Sequence, residues 1–130
     1  MNIFSNIFGT SENQNEHTSN VDWIPLTELN QIDEIIALSA EQPVMIFKYS
    51  TTCGISRFVL RQFEKQFDLN GKVTSYFLDL LAYRAVSNEV AARFGVTHES
   101  PQLLLIRDGK SVYDASHSAI GIEDLRAQLR

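Results

Sequence analysis

The most reactive side chain in this 130-residue sequence is the thiol of Cys53, the only cysteine present. It follows the apolar run Val44–Phe47, which predicts a short strand buried on both faces. After Cys53 the apolar residues recur every three or four positions, which predicts a helix with one buried side. The residues expected on that side are Ile55, Phe58, Val59, Phe63 and Phe67. Cys53 is therefore predicted to lie where a buried strand turns into a helix.

A helix N-terminus favours the anionic form of a thiol. Its first N–H groups have no acceptor within the helix, and the helix dipole favours negative charge there by about 0.3–1 kcal/mol. We expect the N–H groups of Ile55 and Ser56, together with the Ser56 hydroxyl, to support a Cys53 thiolate. Thr52, Gly54 and Ser56 are small and polar, unlike the neighbours of a buried structural cysteine. The segment thus predicts a nucleophilic thiol.

The rest of the chain alternates strands and helices. Pro25 marks residues 23–26 as an edge strand, since proline cannot donate to an inner ladder. Thr27 is predicted to cap a helix whose inward residues are Leu29, Ile32, Ile35 and Ile36. Further strands are expected at 73–80 and 102–106, and at 111–115 after an Asp-Gly hairpin turn. Further helices are expected at 82–94, closed by Gly95, and after Gly121.

This order predicts an α/β fold with a central mixed sheet of four to five strands and helices on both faces. Binding sites in such sheets lie at the carboxyl ends of the strands, and Cys53 follows one of these ends. Lys48, Asp79 and Arg84 are assigned to strand ends and solvated faces.

Residues 1–22 differ from the rest. Ile3, Phe4, Ile7 and Phe8 precede a long polar stretch, and a helix of two turns is marginal in water. We expect a disordered tail here and a domain over residues 23–130. The alternative is a segment that binds a partner or a membrane surface.

Composition excludes several classes of function. A net charge of −5 provides no electrostatic attraction for nucleic acid or an anionic membrane. No apolar run is long enough to span a bilayer, and the N-terminus lacks a secretory signal. One cysteine and three scattered histidines offer no zinc-ligand spacing, so no metal is expected. We expect a cytoplasmic protein.

Three segments carry a resemblance to a known family. They are Thr52–Ser56, the run His98-Glu99-Ser100-Pro101-Gln102, and the pair Ser116-His117. With them the chain resembles the thioredoxin superfamily and, within it, the YtxJ-like monothiol bacilliredoxins of the bacillithiol system. That family usually has proline after the cysteine, whereas this chain has Gly54.

The resemblance implies that Cys53 is the catalytic nucleophile of a thiol-disulfide oxidoreductase that removes bacillithiol from client proteins. It also implies a cis peptide bond at Pro101, which exposes the Ser100 backbone to a thiol substrate. The strand after Pro101 leaves the cysteine edge of the sheet, so its hairpin partner returns residues 116–120 to that edge. Ser116, His117 and Ser118 are then expected to bind the carboxylates of bacillithiol. We expect a monomer whose partners are bacillithiolated proteins and a low-molecular-weight thiol, and His98 to be structural or exposed.

Two alternatives remain open. Residues 53–56 differ at one position from the Cys-Gly-Phe-Ser of monothiol glutaredoxins, which hold an iron–sulfur cluster between two subunits. The double glycine of those proteins is absent after Ala115. The other alternative is a thioredoxin-like binding module without catalytic activity.

Overall fold

The computed structural model describes residues 19–52 and 54–130, so the predictions for residues 1–18 and for Cys53 itself lie outside the described residues. The described chain forms five strands: β1 (Trp23–Pro25), β2 (Val44–Tyr49), β3 (Thr74–Asp79), β4 (Gln102–Arg107) and β5 (Lys110–Ser116). Its α-helices are α1 (Asn30–Ser39), α2 (Gly54–Gln66), α3 (Arg84–Phe94) and α4 (Ile122–Gln128), with a 3₁₀ turn at His117–Ala119 before α4. The predicted order of elements is confirmed.

The five strands form one mixed sheet in the order β1-β3-β2-β4-β5. The first three are parallel to one another, whereas β4 is antiparallel to β2 and β5 is antiparallel to β4. The ends of β2, β3 and β5 therefore meet the start of β4, and we call this side of the sheet the carboxyl edge. The predicted mixed sheet is confirmed, and the hairpin returns to the carboxyl end of β2 as predicted.

Alternate residues of the central strands fill two cores, one on each face of the sheet. On one face, Met45 and Phe47 pack with residues of α2 and α4. On the other, Val44 and Ile46 pack with residues of α1 and α3. This alternation is why β2 is apolar at consecutive positions, and it confirms helices on both faces.

Two apolar residues of α2 were predicted on the wrong side of the helix. Ile55 and Phe58 are 62% and 65% exposed. Phe58 lies on the side of the helix opposite to the buried one. The buried residues of α2 are Ser56, Val59, Leu60, Phe63 and Glu64. A spacing of three or four residues links each apolar residue to neighbours on either side of it around the helix. The spacing alone therefore did not show which of these residues face the core.

The start of α1 also differs from the prediction. Thr27 does not cap the helix; instead the Gln31 side chain accepts hydrogen bonds from the backbone N–H groups of Thr27 and Glu28, at 2.7 and 2.9 Å. Leu29, predicted to face inward, is 52% exposed and lies immediately before the first helical residue, Asn30. The other three predicted inward residues of α1 are buried or half-buried.

Described residues before Trp23 contact the domain. The Asn20 side chain donates to the carbonyl of Lys65 at 3.0 Å, near the end of α2. Val21 is 4% exposed and belongs to the core on the α2 face. Core packing therefore extends to Val21, and a side-chain hydrogen bond extends the contacts to Asn20.

Two phenylalanines of α2 provide a matched test of this packing. Phe63 is buried, with ring centroids 5.3 Å from Phe47 and 5.6 Å from Phe67. We expect Phe63→Ala to lower the free energy of unfolding by about 3–5 kcal/mol, since it leaves a cavity. Phe58→Ala, at an exposed position, should change it by less than about 0.5 kcal/mol. Urea unfolding followed by far-UV circular dichroism measures both, and equal losses would contradict the assigned face.

Candidate active site

The strand-to-helix junction around Cys53 is described through its neighbours. β2 ends at Tyr49, residues 51–52 form a turn, and α2 begins at Gly54. The hydroxyls of Ser50 and Thr52 are 3.1 Å apart, and Arg57 donates to the carbonyl of Thr51 at 3.3 Å. Cys53 lies outside the described residues, but its covalent neighbours occupy the predicted junction.

The first turn of α2 combines an open and a buried position. Beyond its chain neighbours and its own helix backbone, a Cβ atom built on Gly54 would meet no described atom within 4 Å, so lack of space does not require glycine here. Ser56 is fully buried, and its hydroxyl has no hydrogen-bond partner among the described residues. Ser56 therefore places a buried hydroxyl without a described partner in the first turn of α2.

The segment before β4 adopts the geometry that the resemblance implied. The peptide bond between Ser100 and Pro101 is cis, and β4 begins at the next residue. Pro101 is buried, and the Ser100 hydroxyl is buried without a hydrogen-bond partner in the described chain. This segment lies at the carboxyl edge, beside the end of β2.

The end of β5 meets the same segment. The backbone N–H of His117 donates to the carbonyl of Pro101 at 2.9 Å, and His117 has a left-handed backbone with φ of 57°. Its ring Nε2 lies 3.3 Å from a carboxylate oxygen of Glu99, with both side chains about half exposed. The 3₁₀ turn that contains His117 and Ser118 contacts α2. The structure thus brings residues 99–101 and 116–118 together beside the helix that follows Cys53.

Lys48 does not lie on a solvated face. It is fully buried, and its ammonium donates to the side-chain oxygen of Gln102 at 3.2 Å. Lys48 follows Ile46 by two residues, so its side chain points to the same face of the sheet, toward α1 and α3. Burial lowers the pKa of Lys48 from 10.5 to about 8, and the nearby Glu99 carboxylate opposes this shift.

Gln102 was missed as a site residue by sequence reasoning. It is buried, and its amide nitrogen donates to the carbonyl of Thr97 at 3.0 Å and to the hydroxyl of Ser116 at 3.3 Å. A glutamine that opens an apolar strand is the pattern that could have drawn attention to it.

The other polar residues near this edge have simpler surroundings. Asp79 ends β3, and its carboxylate accepts the backbone N–H groups of Leu81 and Ala82 at 3.2 Å, as expected of a strand-end residue. Arg84 is exposed at the start of α3, as predicted. The pKa of His98 is lowered by partial burial and by the positive charges of Lys48 and Arg84. Within residues 19–52 and 54–130, no three acidic or histidine side chains cluster closely enough to hold a metal ion.

Comparison with known proteins identifies the family. The sequence profile of the monothiol bacilliredoxin BrxC family matches residues 24–125. The chain belongs to this family. A solved structure described as a candidate oxidoreductase with a thioredoxin fold is 31% identical to this bacilliredoxin, with a TM-score of 0.70 over 82% of this chain and 92% of that one.

Two thioredoxins share the fold at lower identity. That of Malassezia sympodialis is 18% identical, with a TM-score of 0.65 over 86% of this chain and 90% of its own. That of Fasciola hepatica is 20% identical, with a TM-score of 0.62 over 81% and 94%. The bacilliredoxin therefore has the thioredoxin fold. None of its described helices combines the length and apolar character needed to cross a membrane.

The burial of Lys48 predicts a pH-dependent cost in stability. Its folded pKa is lowered to about 8, so burial destabilises the fold while the amine is charged, and this cost disappears as pH rises from 8 toward 10.5. We expect wild type to gain roughly 2 kcal/mol of unfolding free energy relative to Lys48→Met between about pH 7 and pH 10. Urea unfolding of both proteins across this range measures the difference. A constant difference would contradict the burial of a charged amine.

Proposed function

We propose that this bacilliredoxin removes bacillithiol from protein mixed disulfides, with Cys53 as the nucleophile. The observation that carries the proposal is the BrxC family match, which includes Cys53 and the segments that meet at the carboxyl edge. Thiol-disulfide exchange needs an accessible thiolate and a backbone surface for the second sulfur. The junction beside α2 and the cis segment before β4 fit these two requirements.

The exchange begins with attack of the Cys53 thiolate on the bacillithiol sulfur of the mixed disulfide. A new bond joins the Cys53 sulfur to bacillithiol, and the bond between bacillithiol and the client breaks. The client sulfur leaves as a thiolate and takes a proton from water, so the client is reduced. Cys53 now carries bacillithiol in a mixed disulfide, and a second thiol must attack it to restore the free enzyme.

The first turn of α2 is proposed to stabilise the attacking thiolate. Thr52, Gly54, Ile55 and Ser56 surround Cys53 in sequence, and the helix N-terminus provides N–H groups that favour an anion. The buried Ser56 hydroxyl lacks a partner among the described residues, which fits a donor to the thiolate. Ser56 cannot form a disulfide, so the resolving thiol must come from another molecule.

The two segments that face the start of α2, residues 99–101 and 116–118, are proposed to bind the substrate. The Ser100 backbone, next to the cis bond to Pro101, would pair with an extended thiol substrate. Ser116, His117 and Ser118 would bind the carboxylates of bacillithiol. Glu99 is the present partner of His117, so a substrate carboxylate would compete with it for the imidazole.

We propose that this reaction takes place in the cytoplasm, where protein thiols are kept reduced. The enzyme would act as a monomer, and its partners would be bacillithiolated client proteins.

Cys53→Ser and Ser56→Ala test the proposed nucleophile and the group proposed to support it. Cys53→Ser should abolish release of bacillithiol from a bacillithiolated client, because an alcohol is a far weaker nucleophile than a thiolate. Ser56→Ala, which removes one hydroxyl from the same helical turn, should slow release by roughly two- to tenfold, as expected for one lost hydrogen bond. Release is measured by mass spectrometry of the client. Equal activity of wild type and Cys53→Ser would end the proposal.

The identity of the low-molecular-weight thiol has its own test. We expect oxidised bacillithiol to form a single adduct on the wild-type chain and to do so faster than oxidised glutathione, since the site is proposed to recognise the bacillithiol carboxylates. Intact-protein mass spectrometry follows both reactions, with Cys53→Ser as the control that forms no adduct. Faster reaction with glutathione would contradict the assigned co-substrate. A brown protein after anaerobic purification would instead favour an iron–sulfur role.

A further inference from the structure

Three neighbouring strands place polar side chains side by side at the carboxyl edge. Lys48 of β2 is in register with Gln102 of β4, which is in register with Ser116 of β5. All three are linked through the Gln102 amide, whose oxygen accepts from Lys48 and whose nitrogen donates to Ser116 and to the carbonyl of Thr97. Lys48 and Gln102 have at most 1% of their surface exposed. We call this group the buried polar row.

The ammonium of Lys48 dictates how the Gln102 amide is turned. An ammonium group only donates hydrogen bonds, so the amide must present its oxygen to Lys48. Its nitrogen must then face the Thr97 carbonyl and the Ser116 hydroxyl, which both accept from it. Turning the amide over would place donor against donor at Lys48 and acceptor against acceptor at Thr97. Lys48 thereby ties the segment before the cis bond to the end of β5.

A buried lysine is an expensive way to fill this space. An apolar side chain of similar length would pack there without the desolvation penalty of a charged amine. Glu99 is the one charged group that acts on the pKa of Lys48 within the described chain, and burial outweighs its effect. Residues that break a local rule of stability in this way are expected at functional sites.

We propose that Lys48 is a positioning residue, which orients Gln102 so that residues 97–101 and 116–118 hold the mixed disulfide from two sides. This inference rests on the proposed function for its substrate. It concerns the shape of the site and not the nucleophile, so its main effect should be on substrate binding. Lys48 need not touch the substrate.

Three variants test this role. Lys48→Met and Gln102→Met each remove one partner with a side chain of similar shape, and the double variant removes both. Each single variant should raise KM for a bacillithiolated client by roughly three- to tenfold with a smaller change in kcat, as expected when an orienting hydrogen bond is lost. The double variant should resemble either single variant, since both act through one amide.

The control variant is Ser39→Ala, which removes a buried hydroxyl at the opposite end of the sheet. The Ser39 hydroxyl accepts from the backbone N–H of Gly109 at 2.8 Å and donates to the carbonyl of Ile36 at 2.7 Å. Ser39→Ala should lower stability but leave KM unchanged. A rise in KM for Ser39→Ala equal to that for Lys48→Met would show that general loosening of the fold explains the effect, and would overturn the proposal.

A second measurement does not depend on catalysis. The N–H of His117, bonded to the carbonyl of Pro101, joins the two segments that Lys48 is proposed to position. Its hydrogen exchange should accelerate roughly tenfold in Lys48→Met and Gln102→Met and remain unchanged in Ser39→Ala. Unchanged exchange in Lys48→Met overturns the inference whatever the KM values are. A wild-type protein that fails to release bacillithiol while exchange responds as expected contradicts the proposed function alone.

Discussion

The antiparallel pairing of β4 with β2 is the constraint on which the candidate site depends. Because β4 starts where β2 ends, the cis bond before β4 lies next to the turn that leads to Cys53. The hairpin from β4 to β5 then returns residues 116–118 to the same edge. Strand pairing thus brings three segments that are far apart in sequence to one end of the sheet.

The buried polar row shows how such a site is kept in shape. The two apolar cores fix the strands and helices, but hydrophobic packing has little directional preference. The hydrogen bonds of Gln102 to Lys48, Thr97 and Ser116 specify orientation where the apolar layers end. The fold therefore combines a stable apolar interior with a polar boundary that lowers stability and defines geometry.

Much of the architecture could be predicted because local rules agree with tertiary packing. The apolar run Val44–Phe47 becomes the central strand, Gly95 ends α3 with a positive φ, and Asp108-Gly109 forms the predicted hairpin turn with positive φ at both residues. The cis state of Pro101 could not come from the residues alone, since most X–Pro bonds are trans, and it required the family resemblance.

The errors arise where a local pattern leaves the third dimension open. Phe58 satisfies helical spacing but lies opposite the buried side of α2, and only contacts with the sheet decide which side is covered. Lys48 was assigned to strand ends and solvated faces, but it is buried, and lysine is seldom buried without a partner. That partner, Gln102, is more than fifty residues away and becomes visible only when β4 pairs with β2.

In the proposed reaction, the Cys53 sulfur attacks the bacillithiol sulfur and not the client sulfur. Its most direct test is a single turnover of the bacilliredoxin with a client that carries isotopically labelled bacillithiol, quenched with acid and analysed by mass spectrometry. We expect the label on the bacilliredoxin, in amounts equal to the client thiol released. A covalent complex between the client and Cys53, with labelled bacillithiol free in solution, would contradict it.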